Sequence, residues 1–165
     1  MNAEAEELIS RLGLAPLSVE GGFFKPTWMS ANVGPGGRPS GSAILFLITP
    51  EGFSALHRLR TDEIWHFHAG DPAELALMDP ANGRGETLTL GPDVLRGHAP
   101  QAVARAGVWQ GARLSPAAGA SARGWALFGC TLSPAWNEGE FELGQRDPLL
   151  RQFPAQAGVI RALTR

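Results

Sequence analysis

The 165-residue chain has no tyrosine, one cysteine (Cys130) and one lysine (Lys25), set against 13 arginines. Each shortage closes a class of chemistry. Without tyrosine, no step can use a phenol from this chain as acid or base. A single cysteine permits no intrachain disulfide, which fits a reducing compartment, and a cytoplasmic location is expected. A dominant charge is missing too. The formal net charge is −2, so there is no basic field for a phosphate backbone, and no nucleic-acid partner is expected. No apolar run approaches the roughly 18 residues of a membrane span, so no membrane partner is expected. The first ten residues, MNAEAEELIS, lack the basic-then-apolar order of a secretion signal.

The chain does have 21 glycines and 13 prolines. They cluster as turns between short strand-like segments at 17–20, 23–29, 42–49, 53–59, 63–69, 73–79, 87–90, 101–105, 107–114 and 124–132. Many short strands with such punctuation predict an antiparallel sandwich or barrel rather than alternating βαβ units. Residues 4–12 predict a helix, with Ala5, Leu8, Ile9 and Leu12 on one face and acids in the first turn. Residues 115–121 read as a hairpin loop. From Asp147 onward a short helix or tail is expected, with Leu149, Leu150, Phe153, Val159, Ile160 and Leu163 available to pack. No repeat or linker interrupts residues 1–165, so one domain is expected.

All four histidines lie between 57 and 98, three of them in HRLRTDEIWHFH (57–68). Strand side chains alternate between faces. Glu63, Trp65 and Phe67 therefore share one face, and Ile64, His66 and His68 the other. A carboxylate in line with two large aromatics is costly in a dry core unless paired, so the Glu63 face is read as a ligand cavity or a wet barrel mouth. In the preceding strand Phe53, Ala55, His57 and Leu59 share a face. The connection at 60–62 is short, so the two strands are expected to pair, with His57 beside Glu63. Trp65 and Phe67 are then aromatic walls suited to a small ligand. Cys130, in an apolar strand, reads as a buried inert thiol.

Gly52, His57, Glu63 and Gly70 resemble the first motif of the cupin superfamily, with Leu59 where that motif has its second histidine. The segment 105–110 resembles the second motif, but Arg105 stands at the proline place and Gln110 at the histidine place. GGFF (21–24), DEIWHFHAGDP (62–72), GVWQ (107–110) and GCTL (129–132) are similar to a small cupin branch of unknown function, sometimes labelled a predicted sugar epimerase. The resemblance implies an all-β jelly-roll barrel with a short N-terminal helix and a short C-terminal helix or tail. It also implies a homodimer and a pocket inside the barrel, bordered by Glu20, Phe23, Phe24 and Lys25. Strands apolar on both faces, at 43–48 and 125–132, agree with a homodimer.

The superfamily's metal site uses three histidines and one glutamate. Here those places hold His57, Leu59, Glu63 and Gln110, so the metal candidates are His57, Glu63 and Gln110. Leu59 cannot ligate, and an amide is a poor ligand beside imidazole; no cofactor is expected, with a divalent metal as the weaker alternative. The function read first is an epimerase or isomerase of a small polar metabolite, a sugar or keto acid. In it His57 is the general base, Glu63 orients it, and Gln110 holds a substrate oxygen. The alternative is a non-catalytic small-molecule binding protein with the same pocket. A metal-dependent oxygenase ranks third because the ligand set is depleted.

Overall fold

The computed structural model describes residues 1–116 and 122–165. Of the hairpin loop expected at 115–121, residues 117–121 lie outside the described residues. The strands form two antiparallel sheets. The first runs β1 (Ala15–Pro16), β2 (Phe23–Met29), β3 (Ser42–Ile48), β10 (Ala126–Leu132), β5 (Glu63–Gly70) and β8 (Gln101–Ala104) in spatial order. The second runs β11 (Glu142–Leu143), β4 (Ser54–Arg58), β9 (Trp109–Leu114), β6 (Ala73–Asp79) and β7 (Arg84–Leu90). Two facing sheets with strands that switch between them make the jelly roll expected from the sequence.

Alternation decides what faces the core. Ile44, Phe46 and Ile48 of β3, Trp65 and Phe67 of β5, and Phe128 and Cys130 of β10 meet Leu75, Leu77 and Ala112 of the opposite sheet. The Trp65 ring meets Phe46 and Phe128 edge-on, at centroid distances of 5.8 and 5.4 Å, an arrangement that satisfies the ring quadrupoles. Three helices cover the outer faces. The helix α1 (Ala3–Leu12), capped by the Asn2 side chain accepting from the Ala5 N–H, packs Ala5 against Leu47 and Trp125. The helices α2 (Arg146–Gln152) and α3 (Ala157–Ala162) set Leu149, Phe153, Ile160 and Leu163 against Leu56, Met78 and Trp109 on the back of the second sheet. Part of the two-faced apolarity of 43–48 and 125–132 thus serves α1 of the same chain. No helix among the described residues is long and apolar enough to cross a membrane.

Three expectations change. Residues 17–20 form a turn closed by the Gly21 N–H on the Leu17 carbonyl, and the strand pairing with β2 lies earlier, at 15–16. The C-terminal segment forms two helices rather than one helix or a tail. Most important for the site, β4 and β5 do not pair. The short connection turns a corner, so β4 lies in the second sheet and β5 in the first. His57 and Glu63 face each other across the barrel.

Candidate functional site

Four polar side chains converge between the sheets, and backbone geometry puts them there. Gly21 and Gly22 adopt φ of 102° and 72°, a region that favours glycine. A Cβ at Gly21 would lie 2.3 Å from the Phe53 carbonyl oxygen, and one at Gly22 would lie 2.8 Å from the Phe46 ring. This bare backbone lets the chain lie against β4, where the Ala55 N–H donates to the Glu20 carbonyl at 2.9 Å. The Glu20 carboxylate then accepts from the Ser54 hydroxyl at 2.5 Å and stands 3.8 Å from His57 Nδ1. The β4–β9 ladder shifts register between Ser54 and His57, the kind of irregularity that re-aims side chains. Both residues reach the same carboxylate.

On the other side of the imidazole, Glu63 Oε2 lies 3.9 Å from Nε2. Glu63 is fixed from behind. The Trp65 indole N–H donates to Gln110 Oε1 at 2.8 Å, and Gln110 Nε2 donates to Glu63 Oε2 at 2.7 Å. An indole nitrogen can only donate, so the amide carbonyl must face Trp65 and its NH₂ must face Glu63. His57 is 2% exposed, Gln110 1% and Glu63 6%, and the Glu20 side chain is 13% exposed. His57 Nδ1 contacts the Ala55 carbonyl at 2.8 Å; a carbonyl only accepts, so this nitrogen carries a proton.

The charges follow from this geometry. Burial opposes an imidazolium, but the Glu20 carboxylate, then Glu63, outweigh it, and the His57 pKa is raised from 6.5 to about 9. Burial likewise pushes the Glu20 carboxyl above its ordinary value, against the pull of His57. At neutral pH His57 is therefore an imidazolium, with Glu20 and Glu63 on either side of it. Its Nε2–H, 3.9 Å from Glu63, is beyond hydrogen-bond distance of that partner and retains the capacity to meet a ligand oxygen. Burial pushes the Cys130 thiol far above its usual range.

The structure brings His57, Glu63, Gln110, Trp65 and Glu20 together. Phe24 and Phe67 line the inner face nearby as part of the apolar core. Lys25 does not join them. It is exposed, with Nζ donating to the Leu12 carbonyl at the end of α1 at 2.9 Å, because the alternation of β2 that turns Phe24 inward turns Lys25 outward. His66 and His68 lie on the outer face of the first sheet, as read from the alternation: His66 meets Thr131 and Gln101, and His68 is exposed. Two participants escaped the sequence reading. Ser54 becomes a partner of Glu20, and Phe141 stacks on His57 with centroids 5.3 Å apart and planes at 19°. A phenylalanine 84 positions along the chain gives no local signal of such a contact.

The donors do not fit the superfamily's metal site. Leu59 offers only carbon, and the Gln110 carbonyl oxygen is spent on Trp65 while its NH₂ points at Glu63, which leaves only His57 Nε2 and the Glu63 carboxylate of that set as donors. Among the described residues no cluster of three His, Cys, Asp or Glu is placed to hold an ion.

Comparison with known proteins agrees with the fold. A hypothetical protein from Leishmania major is 32% identical and superposes with a TM-score of 0.85 over 97% of this chain and 98% of its own. A crystallised protein from Shewanella oneidensis is also 32% identical, with a TM-score of 0.87 over 100% of this chain and 98% of its own. Oxalate decarboxylase from Lactobacillus farciminis shares the fold alone, at 13% identity and a TM-score of 0.54, over 94% of this chain and 43% of its own. No curated protein matches the chain. The family model described as "Cupin superfamily (DUF985)" matches residues 6–144, and the chain therefore belongs to the cupin superfamily.

Proposed function

We propose that this cupin binds a small polar carbonyl metabolite in the barrel and catalyses proton transfer on it, as an isomerase or epimerase. The observation that carries this reading is the buried His57 imidazole held between Glu20 and Glu63 at 3.8 and 3.9 Å. Burying three ionisable groups together costs several kcal/mol per ion before pairing, a cost that favours a functional rather than a packing origin. The raised pKa changes the role read from sequence. His57 begins the cycle protonated, so it donates from Nε2 to the substrate carbonyl oxygen. Glu63, on the same side of the ring as Nε2, removes the proton from the adjacent carbon. The C–H bond breaks, its electron pair forms the enol double bond, and the carbonyl π pair takes the His57 proton. When water protonates the carbon from the opposite face, the enol hydroxyl returns its proton to His57 and Glu63 releases its proton to solvent, which gives the epimer. With an α-hydroxy carbonyl, Glu63 returns its proton to the former carbonyl carbon, and the other enediol hydroxyl gives its proton to His57, its oxygen becoming the new carbonyl of the isomer. Glu20, held by Ser54 on the Nδ1 side, keeps the imidazole oriented, and Gln110 and Trp65 hold Glu63 in place.

The test is solvent exchange. A panel of aldoses, ketoses and 2-oxo acids in deuterated buffer is followed by NMR for replacement of the acidic C–H. At least one compound is expected to exchange, with the rate lost by about a hundredfold or more in Glu63→Gln and His57→Asn, as for general acid–base groups. A compound that raises the melting temperature yet never exchanges would support the non-catalytic binding reading instead.

We infer a homodimer as well. The register aligns Trp28, Ala43, Thr131, Ile64 and Val103 in one row across the first sheet. Trp28 and Val103 are exposed at its two ends, and the row faces away from the core.

A further inference from the structure

Residues 137–144 cross the barrel rim next to His57, and their sequence, NEGEFELG, places three acids at alternate positions around Phe141. A single helical turn at Glu138–Glu140 leads into β11, and β11 pairs with Arg58 and His57 of β4. The acids meet arginines. Glu140 accepts from Arg38 at 2.7 Å and from Thr61 at 3.1 Å. Glu142 accepts from Arg58 at 2.8 and 2.7 Å. Arg60 adds positive charge near Glu140. Between the two clamped carboxylates, the Phe141 ring turns inward onto the imidazole.

Two features separate this strap from ordinary packing. Its attachments are few: one half-buried ion pair at Glu140 and one exposed pair at Glu142, and a ladder only two residues long. The arginines, by contrast, are held without it. Arg38 also donates to the Ala135 carbonyl at 2.7 Å and to Thr61 at 3.3 Å. The Arg58 guanidinium lies over the Trp109 ring, 4.6 Å from its centroid. If the strap lifts, what remains is a preformed guanidinium, Arg38, and an uncovered imidazole, with Arg58 on the other face of β4 beside Trp109.

We propose that the strap is an internal stand-in for the ligand, and that the site takes a planar unsaturated ring carrying an anionic group. The ring replaces Phe141 on His57, and the anion replaces Glu140 on Arg38. This rests on the reading that ligands enter the barrel to reach His57, and it narrows their class. A π face over an imidazolium is electrostatically favourable, and guanidinium forks match carboxylate and phosphate oxygens. A neutral sugar supplies neither feature.

Benzoate and phenyl phosphate test the two anion chemistries, with cyclohexanecarboxylate as the charged but non-planar control. Each is titrated by calorimetry at low salt into the wild type, into Glu140→Gln/Glu142→Gln, which frees the arginines with little change of shape, and into Phe141→Ala, which vacates the ring position. His57 ring signals in NMR report where the ligand lies, and exchange of the Gly144 amide, which donates to the Leu56 carbonyl at 2.7 Å, reports strap opening. One of the two arene anions is expected to bind both variants at least tenfold tighter than wild type and to shift the His57 signals, with the control at least fivefold weaker. Arg38→Gln is expected to lose this binding. Equal affinity in wild type and variants, or equal binding of the control, overturns the proposal. Absence of binding where Gly144 exchanges faster overturns the ligand class alone and leaves the proton-transfer reading standing. Tighter binding that leaves the His57 signals unmoved overturns this placement and the barrel-binding reading together.

Discussion

At the residue scale the molecule turns on where its buried charges sit. Gln110 has one arrangement open to it between an obligate donor, Trp65, and an obligate acceptor, the Glu63 carboxylate. The Glu63–His57–Glu20 line is stiffened from one end by that amide and from the other by Ser54. Its ionisation has a measurable sign. The folded His57 pKa of about 9 exceeds 6.5, so protonated His57 adds stability that is complete below pH 6.5 and is lost as pH rises through about 9. By linkage this is worth about 3 kcal/mol. Glu20, also raised, acts in the same direction from lower pH, and the raised Cys130 thiol acts in that direction once pH enters the ordinary thiol range. Denaturant unfolding from pH 6 to 9.5 is expected to show the wild type losing stability across that window and His57→Gln losing distinctly less. An unchanged slope in the variant would contradict the pairing. Much of this was legible in sequence: the alternation that aligns Glu63 with Trp65, and the placement of His57 and Gln110 by motif. The Glu20 contact was legible only as a glycine pair, because the positive φ angles that bring Glu20 under β4 are satisfied by long-range contacts. The acid role proposed for His57 was not legible, since it depends on two distances across the barrel.

At the scale of elements, the informative departure is the corner between β4 and β5. A three-residue connection between two alternating segments is the pattern of a hairpin. Nothing in the alternation distinguishes a hairpin from a chain that crosses between sheets, because both bury the same face. In β4 both faces are buried, Ala55 and His57 toward the barrel and Leu56 toward α2 and α3. A strand covered on two sides belongs in a layered sheet, and the helices that cover it come from the far end of the chain. Those helices support the site from outside. Phe153→Ala, a substitution in the cluster that backs Leu56 and Trp109, is expected to cost about 3–5 kcal/mol. Chemical denaturation should show that loss, together with a weaker His57–Glu20 pairing seen as a smaller pH dependence. A loss below about 1 kcal/mol would mean that the second sheet stands without its helical cover.

At the scale of the whole molecule, the two outer faces are unequally dressed. The back of the second sheet is closed by α2 and α3, whereas α1 covers only one end of the first sheet and leaves the row from Trp28 to Val103 without a helix. If that row meets a second copy, light scattering on the purified protein should give about twice 17.5 kDa, and Trp28→Glu should return it to the monomer mass. A monomer in the wild type would contradict this use of the face. The barrel between these faces encloses a charged line in an otherwise apolar interior, and the proposed chemistry depends on His57 being protonated there. Titration of the His57 ring by NMR tests this most directly. The expected result is a midpoint near 9 that falls in Glu20→Gln; a midpoint at or below 6.5 in the wild type would contradict it.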